Sequence, residues 1–219
     1  MTDVDVEEVP PTRLVLVRHG ESLSSVNRFV GGPRTCTGLS DLGRRQCERL
    51  RARLAETGEL NDVVLYASGY PRARQTAELL APAFGPGVEI VIDDRFGEHD
   101  PGPDCDGLTF DEFLERHGMP DWESDPHAVT FPGGETLADL HHRVGQAVRD
   151  AVTAHAGRTI VVCCHGGVVN AVMRIALHAP PSGGFELFTT NASLTELLLV
   201  RPGRWRLLRY NDAAHLAGL

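Results

Sequence analysis

The sequence contains no lysine, and all 21 of its basic residues are arginine. This absence excludes a P-loop lysine, a Schiff-base lysine and a kinase-type lysine, because each of those chemistries needs an ammonium group. Only arginine and histidine are left to hold anionic ligands. Long apolar runs are also missing, and none approaches the roughly 20 residues that a transmembrane helix needs.

Cysteine is scarce, with five residues and no CxxC pair. The N-terminus is acidic where a signal peptide would have basic residues followed by an apolar run. These features predict a reduced, cytoplasmic protein whose cysteines are small core residues. Thirty acidic residues give a formal net charge of −9, which argues against nucleic acid or an anionic membrane as a partner.

The 219 residues suit one domain with a sizeable core. Ser40 and Gly58 bound one predicted helix as N-cap and stop, and a long helix is predicted over 136–155. Short apolar runs alternate with the helices and predict strands, at 14–17, 63–66, 88–92 and 159–164, with a terminal hairpin from 194–200 and 205–210. This alternation predicts a three-layer α/β/α sandwich with a mostly parallel central sheet. We expect a flexible acidic leader over 1–12 and one domain over 13–219.

One insertion, over about 93–134, differs from the rest of the chain. Between Asp93 and Asp125 it carries twelve acidic residues against two arginines, a surplus that accounts for the whole negative balance. Its prolines and glycines predict loops and one short helix near Phe110 to His117. Two interpretations stay open at this point: a solvated insertion, or an acidic lid over a site.

Two of the predicted strands end in a histidine followed by glycine, at His19 and His165. Ligands bind at the carboxyl ends of strands in open α/β sheets, so both imidazoles are expected at one edge. Arg72 falls at the start of a predicted helix, where the helix dipole disfavours a cation unless an anion lies between them. Arg18, Arg72 and the two histidines would then surround one tetrahedral dianion, since guanidinium groups match phosphate oxygens.

Five motifs occur in order along the chain: Arg18-His19-Gly20-Glu21-Ser22, Gly38-Leu39-Ser40-Asp41-Leu42-Gly43 with Gln46, Ser68 through Ala77, Pro132-Gly133-Gly134-Glu135-Thr136, and Cys164-His165-Gly166-Gly167. On these motifs the sequence resembles the histidine phosphatase superfamily, in its phosphoglycerate-mutase-like branch, over roughly residues 13–200. The resemblance implies that His19 is the nucleophile that becomes phosphorylated. It also implies that Arg18, Arg72 and His165 hold the phosphoryl group.

A neutral imidazole is a competent nucleophile near pH 7, so we expect neither a metal nor another cofactor. The leaving alkoxide needs a proton, and a carboxylic acid is the usual donor. In the family this acid follows the third strand and commonly lies four residues before a glycine. Glu98 and Asp93 both meet that spacing, and Glu98 is favoured because glutamate is the expected type and reaches further.

The sequence departs from the family pattern six residues after His19. An asparagine that helps to bind phosphate is common there, whereas this chain has Ser25, with Asn27 two residues further on. Either side chain is a candidate phosphate donor, and the sequence does not decide between them.

These residues predict a metal-independent phosphomonoesterase that hydrolyses a small phosphate ester through a phosphohistidine on His19. An acidic lid would repel a phosphorylated carboxylate, which ranks phosphoglycerate mutase second and favours a neutral or cationic leaving group. A non-catalytic phospho-ligand-binding protein ranks third. Whether the chain forms a homodimer is left open.

Overall fold

A computed structural model describes residues 10–219, and within them six strands form one sheet in the order β3-β2-β4-β1-β5-β6. The strands are β1 (Thr12–Arg18), β2 (Val63–Ala67), β3 (Ile90–Ile92), β4 (Thr159–Cys164), β5 (Leu194–Arg201) and β6 (Arg204–Asp212). The first four in this order pair in parallel, and β5 and β6 add an antiparallel hairpin. The mostly parallel sheet and the terminal hairpin are confirmed.

Most of the expected acidic leader, residues 1–9, lies outside the described residues. Its predicted end at residue 12 is wrong, because β1 already begins at Thr12. Thr12 pairs with Leu199 of β5, and its hydroxyl accepts a hydrogen bond from the backbone N–H of Gly157 at 2.9 Å. Both contacts are distant in sequence, so the local pattern gave no sign of them.

In the described part of the chain, six α-helices cover the sheet or lie in its connections: α1 (Leu23–Val26), α2 (Asp41–Thr57), α3 (Pro71–Leu80), α4 (Phe110–His117), α5 (Leu137–Ala154) and α6 (Gly166–Ala176). The predicted bounds of α2 are confirmed. The Ser40 hydroxyl accepts from the N–H of Gly43 at 3.0 Å. Gly58 ends the helix with φ 62°, a conformation that glycine adopts without strain. Among the described residues, no helix has both the length and the apolarity to cross a bilayer.

The three layers follow from the alternation of side chains along the central strands. Leu14 and Leu16 of β1 pack in one core cluster with α5 and α6. Val15 and Val17 pack in the other with α2 and α3. The predicted α/β/α sandwich is thus confirmed. All five cysteines are free and buried, as predicted.

The insertion over 93–134 has a small core of its own, formed by Cys105, Phe113 and Phe131. Its helix α4 spans the predicted residues. Several of its acids act locally. The Asp106 carboxylate accepts from the backbone N–H groups of Gly32 and Arg34 at 2.9 and 2.7 Å, and Glu112 completes a capping box with Thr109. Asp106 therefore ties the insertion to the segment between α1 and α2, and Glu112 stabilises the start of α4.

Candidate active site

The sheet order places β2, β4 and β1 side by side, so their carboxyl ends meet at one edge. The structure brings His19 and His165 together there, with ring centroids 5.1 Å apart. The Arg72 Nε lies 3.1 Å from His19 Nε2. The backbone of His19 is fixed on both sides, since its N–H donates to the Cys164 carbonyl at 2.9 Å and its carbonyl accepts from the Asn191 side chain at 3.0 Å. We call Arg18, His19, Arg72 and His165 the phosphate site.

His19 is held as a neutral imidazole with one free nitrogen. Its Nδ1 lies 2.6 Å from the Gly20 carbonyl, and because a carbonyl only accepts, we assign the ring proton to Nδ1. The lone pair of Nε2 then faces Arg72. Burial lowers the pKa of His19 well below its ordinary value, and the charge of Arg72 lowers it further; the Gly20 carbonyl opposes this shift, and Arg18 adds to it. The ring is therefore neutral near pH 7, with its single proton on Nδ1.

In His165 the two ring nitrogens have the reverse roles: Nε2 is hydrogen-bonded and Nδ1 is free. Its Nε2 lies 2.8 Å from Ser68 Oγ, and this oxygen also accepts from the Tyr70 N–H at 3.2 Å. The Ser68 hydroxyl proton is then available to donate to Nε2, which puts the His165 proton on Nδ1. That Nδ1 is buried and has no hydrogen-bond partner among the described residues. A buried donor without a partner is costly, and an anion in the phosphate site would satisfy it.

The two arginines are positioned by backbone carbonyls. Arg72, 4% exposed, donates to the Gly31 carbonyl at 3.1 Å, and its guanidinium lies 4.7 Å above the Tyr70 ring. Arg18 donates to the Thr189 carbonyl, and its Nε is buried without a partner among the described residues. Two cations held close together in a buried site are stabilised by a bound dianion.

The structure separates the two candidate acids. Burial alone would raise the pKa of Asp93, but hydrogen bonds from Arg95 outweigh it and keep the pKa below its usual range. Asp93 is thus committed to an ion pair and to capping a turn. Glu98 instead reaches the start of α6, where its Oε2 accepts from the Gly167 N–H at 3.3 Å. This placement favours Glu98 as the proton donor.

A cavity of about 770 Å³, the outer cavity, adjoins the phosphate site through Glu98, Gly31 and Gly166. The insertion forms much of its wall, with these residues among the lining: Glu98, His99, Pro101, Phe110, Trp122, Glu123 and Phe131. This favours a lid over a site against a merely solvated insertion.

Ser25 and Asn27 lie on α1 and at its C-terminal cap, and both are exposed. The Ser25 hydroxyl lies 2.9 Å from Ser22 Oγ. Assignment of either residue to phosphate stays a prediction. The neighbouring Ser24, which the sequence did not single out, is buried beside Gly31. Ser24 lies on α1, and the chain after α1 turns back so that Gly31 lies beside it. No pattern in the sequence marks this contact.

Arg143 of α5 is a further residue that the sequence did not reveal. Its guanidinium donates to the carbonyls of Arg95 and Gly97 at 2.9 Å and of Glu98 at 2.8 Å, and it pairs with Glu135. These contacts fix the loop that presents Glu98. Carbonyl groups from a distant loop are the acceptors, so no sequence motif marks the contact.

The buried histidines predict a loss of stability at mildly acidic pH. In the folded chain the pKa values of His19 and His165 lie well below the ordinary 6.5, so the unfolded chain binds more protons as the pH falls through that value. The two together should cost about 2 kcal/mol of unfolding free energy between about pH 6.5 and pH 5.5. Urea unfolding at both pH values measures this loss.

The loss of unfolding free energy between these two pH values should be smaller in a His19→Asn variant, which lacks one of the two imidazoles. His141, whose pKa burial and Arg174 lower to about 4, acts in the same direction, whereas carboxylates titrate mainly below this window. An unfolding free energy that stays constant across the window would contradict neutral, buried imidazoles in the phosphate site.

Among the described residues, no group of three or more histidine, cysteine or acidic side chains is placed to hold a metal ion.

The chain matches the model of the histidine phosphatase superfamily, branch 1, over residues 14–213.

Curated relatives agree in family. The chain is 30% identical to Phosphoglycerate mutase-like protein 4 of Arabidopsis thaliana, over 97% of this chain and 90% of that protein. It is 30% identical to Phosphoserine phosphatase 1 of Hydrogenobacter thermophilus, over 93% and 94%. It also spans about half the length of three mycobacterial relatives at 35% identity.

Among solved structures, the chain resembles the mycobacterial glucosyl-3-phosphoglycerate phosphatase Rv2419c in complex with VO3. The TM-score is 0.75 at 28% identity, over 91% of this chain and 98% of that one. The match to the family model covers most of the chain, and relatives of similar length share its fold. The chain belongs to the histidine phosphatase superfamily, branch 1.

Proposed function

We propose that the protein is a metal-independent phosphomonoesterase that works through a phosphohistidine on His19. Family membership and relatives named as phosphatases support a phosphoric monoester hydrolase. One observation carries the mechanism. His19 is a buried, neutral imidazole whose Nε2 lone pair faces the Arg72 guanidinium at 3.1 Å, the place where a bound phosphoryl group would meet both.

In the first step, His19 Nε2 attacks phosphorus in line with the ester oxygen. The N–P bond forms as the P–O bond to the alcohol breaks, and Glu98 gives its proton to the leaving oxygen. Charge on the equatorial oxygens is held by Arg18, Arg72 and the unpartnered Nδ1–H of His165. Each such preorganised donor can contribute on the order of 3 kcal/mol to transition-state stabilisation.

In the second step, water attacks phosphorus and the Glu98 carboxylate takes a proton from it. The N–P bond breaks, inorganic phosphate leaves, and His19 Nε2 regains its lone pair. Glu98 thus acts as acid and then as base, which returns both groups to their starting states. Phosphoglycerate mutase is the alternative, in which a second hydroxyl would replace water as the acceptor.

Phosphate release from a panel of monoesters, measured with chelator and without added metal, tests the proposal. We expect release that chelator does not reduce. The same preparation is then given 3-phosphoglycerate with its bisphosphate primer. Mutase turnover that exceeds hydrolysis would reverse the ranking of the two activities. Failure of both reactions would leave the non-catalytic phospho-ligand-binding protein.

A further inference from the structure

The outer cavity is large for the leaving group of a small ester. Its volume of about 770 Å³ falls within the range of pockets that hold drug-sized ligands. It corresponds to roughly 25 water molecules at liquid density. Glu98 lines this cavity, so an alcohol that receives its proton from Glu98 extends into it. The cavity wall therefore selects the alcohol.

The wall carries more apolar than polar surface, and several of its side chains are aromatic. The insertion contributes Phe110, Trp122 and Phe131, and the segment before β5 contributes Phe185 and Leu187. Trp122 is 43% exposed and Phe185 is 65% exposed. Aromatic surface left partly exposed along a cavity is recovered from water when an apolar ligand covers it.

No guanidinium of the described outer cavity is free to bind an anion. Arg174 is the arginine that lines it, and its donors are already used. They bind the Asn170 side-chain oxygen and four backbone carbonyls, those of Pro180, Ser182, Gly183 and Phe185. Arg174 therefore holds the loop before β5 in place instead of presenting charge to a ligand.

His141, which also lines the outer cavity, does not supply a free cation either. His141 is neutral at pH 7, since burial and Arg174 lower its pKa to about 4. The His99 Nε2 lies 2.7 Å from the Glu135 carbonyl, and its ring packs on Trp122. Glu123 and Glu186, two carboxylates, also line the cavity. A carboxylate or a second phosphate on the leaving group would meet these acids with no free arginine to offset them.

We propose that the substrate is a phosphate monoester of an uncharged, largely apolar alcohol that fills the outer cavity, and that leaving groups carrying an anionic group are selected against. This inference rests on the proposed function. It assigns to this chain a leaving group unlike the carboxylate-bearing ones implied by the names of its phosphoserine and glucosyl-3-phosphoglycerate phosphatase relatives.

A series of linear alkyl phosphates separates apolar burial from leaving-group chemistry, because ethanol, butanol and hexanol have similar acidity. We expect kcat/KM to rise about fourfold for each added methylene, the equivalent of about 0.8 kcal/mol per buried CH₂. Hexyl phosphate should then exceed ethyl phosphate by on the order of 100-fold. The effect of a negative charge on the leaving group is tested with 5-carboxypentyl phosphate, which should be hydrolysed at least about tenfold less efficiently than hexyl phosphate.

Phe185 and Phe188 provide matched variants from one segment. They are 65% and 67% exposed, so neither alanine variant should threaten folding, but Phe185 lines the outer cavity and Phe188 does not. Phe185→Ala should lower the hexyl-to-ethyl ratio of kcat/KM by about fivefold. Phe188→Ala should leave the ratio as it is.

Equal kcat/KM for ethyl and hexyl phosphate would overturn the inference and leave the proposed function standing. So would hydrolysis of 5-carboxypentyl phosphate as efficient as that of hexyl phosphate, or equal ratios in the two phenylalanine variants. Failure to hydrolyse every ester, in wild-type protein that unfolds cooperatively, would instead defeat the proposed function and the inference with it.

Discussion

Replacement of His19 by alanine should abolish hydrolysis, with kcat lower by about 10⁴-fold or more, because the variant lacks the atom that accepts the phosphoryl group. The remaining residues of the phosphate site are untouched. Arg18, Arg72 and the Nδ1–H of His165 should still bind inorganic phosphate. Phosphate release from butyl phosphate measures the first effect, and calorimetric titration with inorganic phosphate measures the second.

His142→Ala is the matched control, since His142 is exposed on α5. It should keep wild-type turnover within about threefold, as expected of a surface substitution away from the site. Retention of a tenth or more of the activity in folded His19→Ala would show that another group accepts the phosphoryl group.

Replacement of Glu98 by glutamine should slow the reaction in a way that depends on the alcohol. For alkyl phosphates, transfer to the enzyme should fall by about 10²–10³-fold, within the range of a lost general acid. For 4-nitrophenyl phosphate the leaving group needs no proton, so the same step should fall by less than about tenfold. Single-turnover formation of phosphoenzyme isolates this step from the later attack of water.

Asp93→Asn tests the other candidate acid. The Asp93 carboxylate pairs with Arg95, so its loss should lower the unfolding free energy and leave the rates with both leaving groups within about threefold. If Asp93→Asn slows phosphoenzyme formation more for alkyl phosphates than for 4-nitrophenyl phosphate, and Glu98→Gln does not, then Asp93 and not Glu98 is the proton donor.

The sequence carries enough local information to predict the layers and the edge of the sheet where the chemistry lies. Alternating apolar strands, the cap at Ser40 and the stop at Gly58 are short-range signals. His19 and His165 follow two strands, and parallel strands bring their carboxyl ends to one edge. The placement of both rings at one edge was therefore predictable, whereas their close approach depends on β1 and β4 being neighbours in the sheet.

Long-range contacts were not predictable in the same way. Arg143 acts on backbone carbonyls some 45 residues away, and the Ser68 hydroxyl that orients His165 lies 97 residues away. Neither contact leaves a periodic pattern in the chain. The sequence favoured Glu98 over Asp93 on residue type and reach, but it gave no sign that Glu98 accepts from Gly167, 69 residues away.

The charge of the insertion shows what composition leaves undecided. Its acids were compatible with a solvated insertion or with a lid that repels anionic substrates. In the structure, residues such as Asp106 and Glu112 bind backbone N–H groups. Under the proposal above, discrimination against anionic leaving groups rests on the wall of the outer cavity, including its carboxylates Glu123 and Glu186, and on the engagement of Arg174 with carbonyls.

The central claim is the covalent intermediate on His19, and rapid trapping tests it most directly. Wild-type protein is mixed with a ³²P-labelled monoester for less than one turnover and quenched in alkali, in which phosphohistidine survives. The peptides are then mapped by mass spectrometry. The mechanism predicts one acid-labile phosphoryl group, on His19. Label on a different residue, or no labelled protein while phosphate is being released, would contradict it.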